Sequence, residues 1–241
     1  MTEAEWLACN DPRKMLRFLR DHATERKRQL IVVACCRHNW AKFISEDARH
    51  AVELVERFAD EGCQSLKTNL ELGAAHLKAL EATNEARRQM NVDAWHAAEA
   101  ARMATHVDFD EAEAAYYALG AEFASDEELE LGCQLVRDVM PNPVRLVDMK
   151  PTWITANTTT LATAIYADRA FDRLPILADA LEDAGCTDRA ILDHCRQPGE
   201  HVRGCWIWCW AKSRLAVVRS AAPSVEPRSR GFPAQRSSAR R

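Results

Sequence analysis

Most of the patterns by which a sequence announces its chemistry are missing from this chain. There is no Walker A loop, no Rossmann glycine pattern, no HExxH and no GxSxG, which removes the usual sequence support for phosphate cradling, dinucleotide binding, zinc proteolysis and serine hydrolysis. The double CxxC spacing of a zinc ribbon is missing too. No run approaches the ~18 apolar residues that cross a bilayer, and the opening MTEAEWLACNDPRK has neither the basic start nor the apolar stretch of a secretion signal. A cytoplasmic location without membrane attachment is therefore expected. No fixed-period repeat is visible, so a solenoid has no support.

What is present is the composition of a packed core. The chain of 241 residues is 47% hydrophobic, enough for one large or two small domains. Its net charge of -4 hides an asymmetry: after Lys212 there are seven arginines against one acid, Glu226, a surplus that leaves the preceding body at -10. An acidic body repels polyphosphate, which argues against nucleic-acid binding through the main domain. Nine cysteines are a high count; in the reducing compartment expected here they serve as buried thiols or metal ligands rather than disulfides.

Nearly every segment reads as helix, so an all-α fold is expected. Thr2 with Glu5 forms a capping box, and Asp11-Pro12 opens a helix carrying Met15, Leu16, Phe18 and Leu19. Thr24 to Phe43 contains no glycine or proline; its TERKRQ half reads as exposed and Leu30 to Cys36, LIVVACC, as buried all round. The β-branched Ile31, Val32 and Val33 leave a strand open there. Ser45 caps an amphipathic helix in which Ala48, Ala51, Val52, Val55, Phe58 and Ala59 recur at three- and four-residue steps up to Gly62. Residues 64–120, rich in Ala, Glu, Leu and Arg, predict two or three helices with breaks near Asn91 and Asp108. Ser125 with Glu128 is a second capping box, opening a helix to Met140. Pro141-Asn142-Pro143 begins a connector to Pro151 and marks the main internal boundary. Three short helices follow, Thr158–Phe171, Leu174–Ala184 with Gly185 as C-cap and Thr187–Cys195, before Pro198-Gly199 turns the chain into HVRGCW. The expected organisation is a helical region over 1–140 including the Ala-rich helices at about 64–120, a three-helix segment over 151–206 packing on it, and a tail over 207–241. The two ends are expected to pack together around LIVVACC, with the Ala-rich helices as an appendage.

The words MTEAEWLACNDPRKMLRFLR, RQLIVVACCRHNW, HAVELVERFAD, LVRDVMPNP, AIYADRAFDRLPILADALEDAGC and ILDHCRQPGEHVRGCW together span residues 1 to 206. They resemble a large paralogous set of uncharacterised proteins of planctomycete bacteria; the two ends are the specific part, and 64–120 resembles the stretch that varies in that family. The resemblance implies that the Cys-Trp pair leads into an apolar ending of the type Asp-Leu-Val-Leu-Gly-Lys-Glu. This chain instead continues IWCWAKSRLAVVRSAAPSVEPRSRGFPAQRSSARR. Its first seven residues can be encoded ATT TGG TGC TGG GCA AAG AGT, which read one nucleotide back give that family ending, followed by a stop when Arg214 is AGA or AGG. Residues 207–241 are therefore expected to be translated out of frame and to form a disordered basic tail with too little apolar content to order itself. A genuine tail that binds an acidic partner is the alternative.

The best grouping of chemistry-bearing side chains is His194, Cys195, His201 and Cys205, with Cys35, Cys36 and His38 on the buried helix as candidate partners. Cys195-x5-His201-x3-Cys205, completed by Cys36, offers thiolate and imidazole donors suited to zinc. The competing reading is that the thiols fill space between helices. A Cys nucleophile, Cys195 or Cys205 activated by His194 or His201, is the enzyme alternative, although adjacent helical residues point apart, so His194 cannot easily serve Cys195. The clusters Asp108, Asp110, Glu111 and Asp126, Glu127, Glu128 read as helix N-terminal charges. No catalytic residue and no organic cofactor is implied. The reading these features favour is a non-catalytic module that binds or regulates an unidentified protein partner, with Trp95, Tyr116 and Tyr117 as contact surface or else as core. A zinc-stabilised module is the second reading and a thiol enzyme the third. The frame reading has a direct check in the nucleotide sequence: codons 207–214 are expected to give the family ending and a stop when shifted by one, and a single incompatible codon disproves it.

Overall fold

The computed structural model describes residues 1–61, 66–105, 110–120, 124–145, 147, 150–199 and 201–208, and every regular element among them is helical. Capping chemistry sets the starts. In α1 (Glu3–Leu7) the Thr2 hydroxyl accepts from the Glu5 amide while the Glu5 carboxylate accepts from the Thr2 amide. Asp11 caps α2 (Pro12–Leu19), Thr24 caps α3 (Glu25–His38), and the Ser45 hydroxyl accepts from the Ala48 amide at the head of α4 (Glu46–Glu61). The ambiguous run Leu30 to Cys36 is helical and buried on every side; the helices packed around α3 override the β-branched preference.

The Ala-rich stretch forms three helices, α5 (Leu66–Arg88), α6 (Val92–Ala104) and α7 (Glu111–Ala118). The break expected near Asn91 is there, with the Asn91 side chain capping α6; Gly62 and the break expected near Asp108 lie outside the described residues. Ser125 and Glu128 form a reciprocal capping box on α8 (Asp126–Val139). After the connector come α9 (Ala156–Asp168), α10 (Leu174–Asp183) and α11 (Arg189–Arg196). Thr155 and Thr158 cap one another, so α9 starts two residues before Thr158 and ends at Asp168. A 3-10 turn, Phe171–Arg173, separates it from α10.

Two apolar cores result. The first joins α1 to α8 and includes buried Ala97, Ala98, Ala100, Ala101, Ala104, Ala114, Ala115 and Ala118 beside Leu30–Cys36. The Ala-rich helices are thus walls of the main core rather than an appendage: alanine lets backbones approach closely, and α6 and α7 both pack directly on α3. Trp95, Tyr116 and Tyr117 are half-buried rather than presented to solvent. Trp95 meets Tyr117 edge-on at 5.6 Å and the Arg13 guanidinium lies 4.2 Å from the Tyr116 ring.

The second core belongs to α9–α11 and contains Trp153, Ile165, Leu177, Leu181, Ile191, Cys195, Cys205 and Trp206. It also contains Ile207 and Trp208, the latter stacked on Tyr166 at 4.3 Å. The expected tail boundary after Trp206 therefore falls two residues early, because an Ile and a Trp fill space in that core whatever frame encoded them. The rest of the tail, 209–241, lies outside the described residues.

Among the described residues, two non-glycine positions have positive φ. Arg169 (φ 53) closes α9, and Met90 (φ 53) closes α5. The Met90 amide bonds to Arg87 O and the Asn91 amide to Ala86 O, the paired bonds of a Schellman ending that ordinarily uses glycine; a side chain there costs about 1–2 kcal/mol. Packing distinguishes two helical glycines. A Cβ at Gly132 in α8 would lie 2.5 Å from Leu119 Cδ1 and 3.0 Å from Pro12 Cγ, whereas at Gly73 in α5 it would meet nothing within 4 Å. Gly73→Ala is expected to raise stability by ~0.5–1 kcal/mol. Gly132→Ala is expected to lower it, since overpacking costs about 1–3 kcal/mol against a helix gain near 1. Thermal unfolding of the two variants is the measurement, and equal shifts would contradict the packing described.

Candidate functional site

The two cores meet at a buried carboxylate. Along α8, Leu135, Val136 and Val139 turn inward, and Asp138 sits among them, 1% exposed. Its Oδ2 accepts the Val202 amide at 2.8 Å, and its Oδ1 lies 2.5 Å from His201 Nδ1 and 3.3 Å from His194 Nε2. His194, in the last turn of α11, also places Nε2 3.2 Å from Cys205 Sγ. The ligand-capable atoms of Asp138, His194, His201 and Cys205 all lie within 4.8 Å of one another. All four residues are at most 9% exposed.

Local structure explains the convergence. Asp188 caps α11, on which Ile191, Leu192, His194 and Cys195 are buried. The chain from His201 to Cys205 then folds back over α8 and α3. Gly204 (φ 99) passes so close to Leu30 that a Cβ would lie 3.0 Å from its side chain. Lys27 Nζ donates to Val139 O at 2.7 Å and to Gly204 O at 2.9 Å, holding the loop against the end of α8. The His194 and His201 rings meet edge-on at 5.1 Å, and Trp206 covers His194 at 4.9 Å. A second link between the cores is Glu56, whose side chain is 3% exposed and whose Oε2 takes Arg37 at 2.6 Å and Arg169 at 3.0 Å.

The electrostatics follow from burial. Desolvation works to raise the Asp138 carboxyl, and the hydrogen bonds from His194 and His201 outweigh it and hold the group below its usual value. Burial, reinforced by the Asp138 charge, pushes the Cys205 thiol well above the ordinary range. Burial likewise raises Cys195 to about 12.

Of the four residues expected to bind metal, His201 and Cys205 are brought together and Cys195 and Cys36 are not part of the group. Successive helical residues diverge by about 100°, so the α11 turn that aims His194 at Cys205 aims Cys195 into the second core. Cys36 stays among the apolar residues of α3 in the first core. Asp138 and His194 complete the set instead. Two features count against a thiol enzyme. The thiol and the carboxylate both face the same nitrogen of His194, Nε2, while Nδ1 faces Gln197 Nε2 at 3.4 Å; a nucleophile–base–carboxylate relay needs them on opposite nitrogens. The void that Cys205 lines beside Tyr166 and Trp208 holds about one water. No helix among the described residues is long and apolar enough to cross a membrane.

No protein-family model matches this chain, and neither a curated protein nor a solved structure matches it significantly.

The buried carboxylate makes two testable contributions. Asp138→Asn removes the charge from three hydrogen bonds and is expected to cost roughly 3 kcal/mol in metal-free protein. Because Asp138 is held below its ordinary 3.8 in the folded chain, the unfolded chain binds the proton more readily. The contribution is therefore complete above about pH 5 and is withdrawn as pH falls through the unfolded and then the folded value. Melting temperatures from pH 7 to pH 3 should show the wild type and the variant converging in acid; parallel curves would remove Asp138 from this role.

Proposed function

We propose that this chain is a non-catalytic helical module in which a zinc ion, bound by Asp138, His194, His201 and Cys205, locks the α9–α11 unit onto the α1–α8 body. The module as a whole serves to bind or regulate another protein. The observation that carries the metal reading is the convergence of four donor atoms from α8, α11 and the 201–205 loop within 4.8 Å.

The donor set fits the ion. Two imidazoles, a thiol and a carboxylate suit zinc better than calcium or magnesium, which prefer oxygen throughout. Zinc bonds of 2.0–2.3 Å place neighbouring donors about 3.3–3.8 Å apart in a tetrahedron, close to the 3.2 and 3.3 Å separations at His194 Nε2, whereas the 2.5 Å contact of His201 Nδ1 with Asp138 Oδ1 would have to open by about 1 Å on binding. A thiolate and a carboxylate balance a dication, so the buried group would carry no net charge. Val202 N–H on Asp138 Oδ2 and Gln197 on His194 Nδ1 supply the outer contacts that orient such ligands. Four buried protein donors leave no open position, which is the arrangement of a structural site rather than a catalytic one.

The interaction half of the reading is supported by exposed apolar side chains on the body. Leu70, Leu77 and Leu80 of α5 are 67%, 61% and 37% exposed, and Met90 and Val92 beyond it are 82% and 48%.

Metal analysis of the full chain is expected to find one zinc per molecule, with cobalt substitution giving a cobalt–thiolate absorption band. Chelation should lower the melting temperature, by up to ~4 kcal/mol of stability where zinc had stood a thousandfold above its Kd. His201→Ala and Cys205→Ser should abolish binding and Cys195→Ser should retain it. A chain that takes up no metal and melts identically with and without chelator would overturn the zinc reading.

A further inference from the structure

The corner between α5 and α6 holds a shallow groove of about 280 Å³, lined by Ala86, Arg87, Met90, Asn91, Val92 and Trp95. Three observations there have no explanation within the fold. Met90 occupies a left-handed position suited to glycine and leaves its side chain 82% exposed, so its strain is offset by no packing of its own. Val92 follows it, 48% exposed. Arg87 stacks on Trp95 at 5.5 Å and makes no ion pair among the described residues, whereas Arg88 beside it is already bonded to Glu85. A flexible thioether, a valine and an indole supply an adaptable apolar floor, and an Arg over an aromatic face keeps its planar fork of donors for a carboxylate.

We propose that this groove docks a segment of a partner protein that places an apolar side chain beside an aspartate or glutamate. The apolar side chain would lie against Met90, Val92 and Trp95 while the carboxylate pairs with Arg87. Charge complementarity selects this occupant: the chain's own segment after Lys212 has seven arginines against one acid and would be repelled by Arg87. The proposal rests on the interaction half of the function proposed above and is independent of metal.

The test is selection of random heptapeptides displayed on phage against the immobilised full chain, zinc-loaded and chelator-treated in parallel. Enriched peptides are expected to carry an acid adjacent to Leu, Ile, Phe or Met under both conditions, so failure of the metal reading leaves this result standing. The affinity of the synthetic consensus peptide should fall at least tenfold with Arg87→Gln. It should also fall severalfold with Met90→Gly while that variant melts at a higher temperature, a combination that a purely structural role for Met90 would not produce. No enrichment, enriched sequences without acids, binding indifferent to Arg87→Gln, or self-association of the chain across the groove would each overturn the proposal.

Discussion

The arrangement of the molecule depends on one buried charge. Taking the Asp138 carboxylate out of water costs several kcal/mol unless its oxygens are fully bonded, and among the described residues the body made by α1–α8 supplies none of its bonding partners. They come from Val202, His201 and His194, across 56 to 64 residues of chain. The body is therefore incomplete by itself in an electrostatic sense, although its apolar core is continuous. Docking of the C-terminal unit turns an orphaned carboxylate into one held by three donors, and undocking would expose Asp138, Val202 and Gly204 together.

Polar contacts of this kind fix position more than they add stability. Each of the two cores has its own apolar filling, so hydrophobic burial alone would tolerate several orientations of one on the other. Lys27, Asp138 and Glu56 remove that freedom. Lys27 satisfies the Val139 carbonyl at the C-terminal end of α8, where a cation is favoured, and reaches Gly204 with the same ammonium group. Glu56 reaches Arg169 in the C-terminal unit while Arg37 of the body shares the same oxygen. Hydrogen bonds to charged groups are directional at low dielectric, and three of them anchored on α3, α4 and α8 define a single register.

What could be read from the sequence and what could not follow from the range of the interactions. Capping is local: Thr2 with Glu5, Asn91, and Ser125 with Glu128 lie within three residues of the amides they bind, and each appears where the residue types place it. The burial of Leu30 to Cys36 was legible because no polar residue interrupts it. The site was half legible. His201 and Cys205 are conspicuous by residue type, whereas telling His194 from Cys195 requires the side of α11 that faces the body. Asp138 was hidden because its partners lie far along the chain. A signal existed all the same, an acid in LVRDVM flanked by Leu135, Val136 and Val139 that are all buried, since an ionised group set in an apolar stripe demands a partner. The place of the Ala-rich helices is not legible from composition, because alanine is both a strong helix former and a close-packing residue and composition cannot tell which property is in use. Their buried face is defined by the packing of α6 and α7 on α3, a long-range contact.

The two left-handed non-glycines separate the inner logic of the fold from its outer one. At Arg169, strain of about 1–2 kcal/mol accompanies a side chain that reaches Glu56, a buried carboxylate that would otherwise rely on Arg37 alone. Glycine there would relax the turn and weaken a link between the cores, so the strain is compensated within the chain. At Met90 the same φ is adopted by a side chain that stays in solvent. Glycine would relax that turn and give up little buried surface of the free molecule. Against a total stability of only 5–15 kcal/mol for a typical domain, an uncompensated strain of this size is a sizeable share. On the docking proposed above, the compensation for Met90 would come from the partner segment, at the groove whose lip it forms.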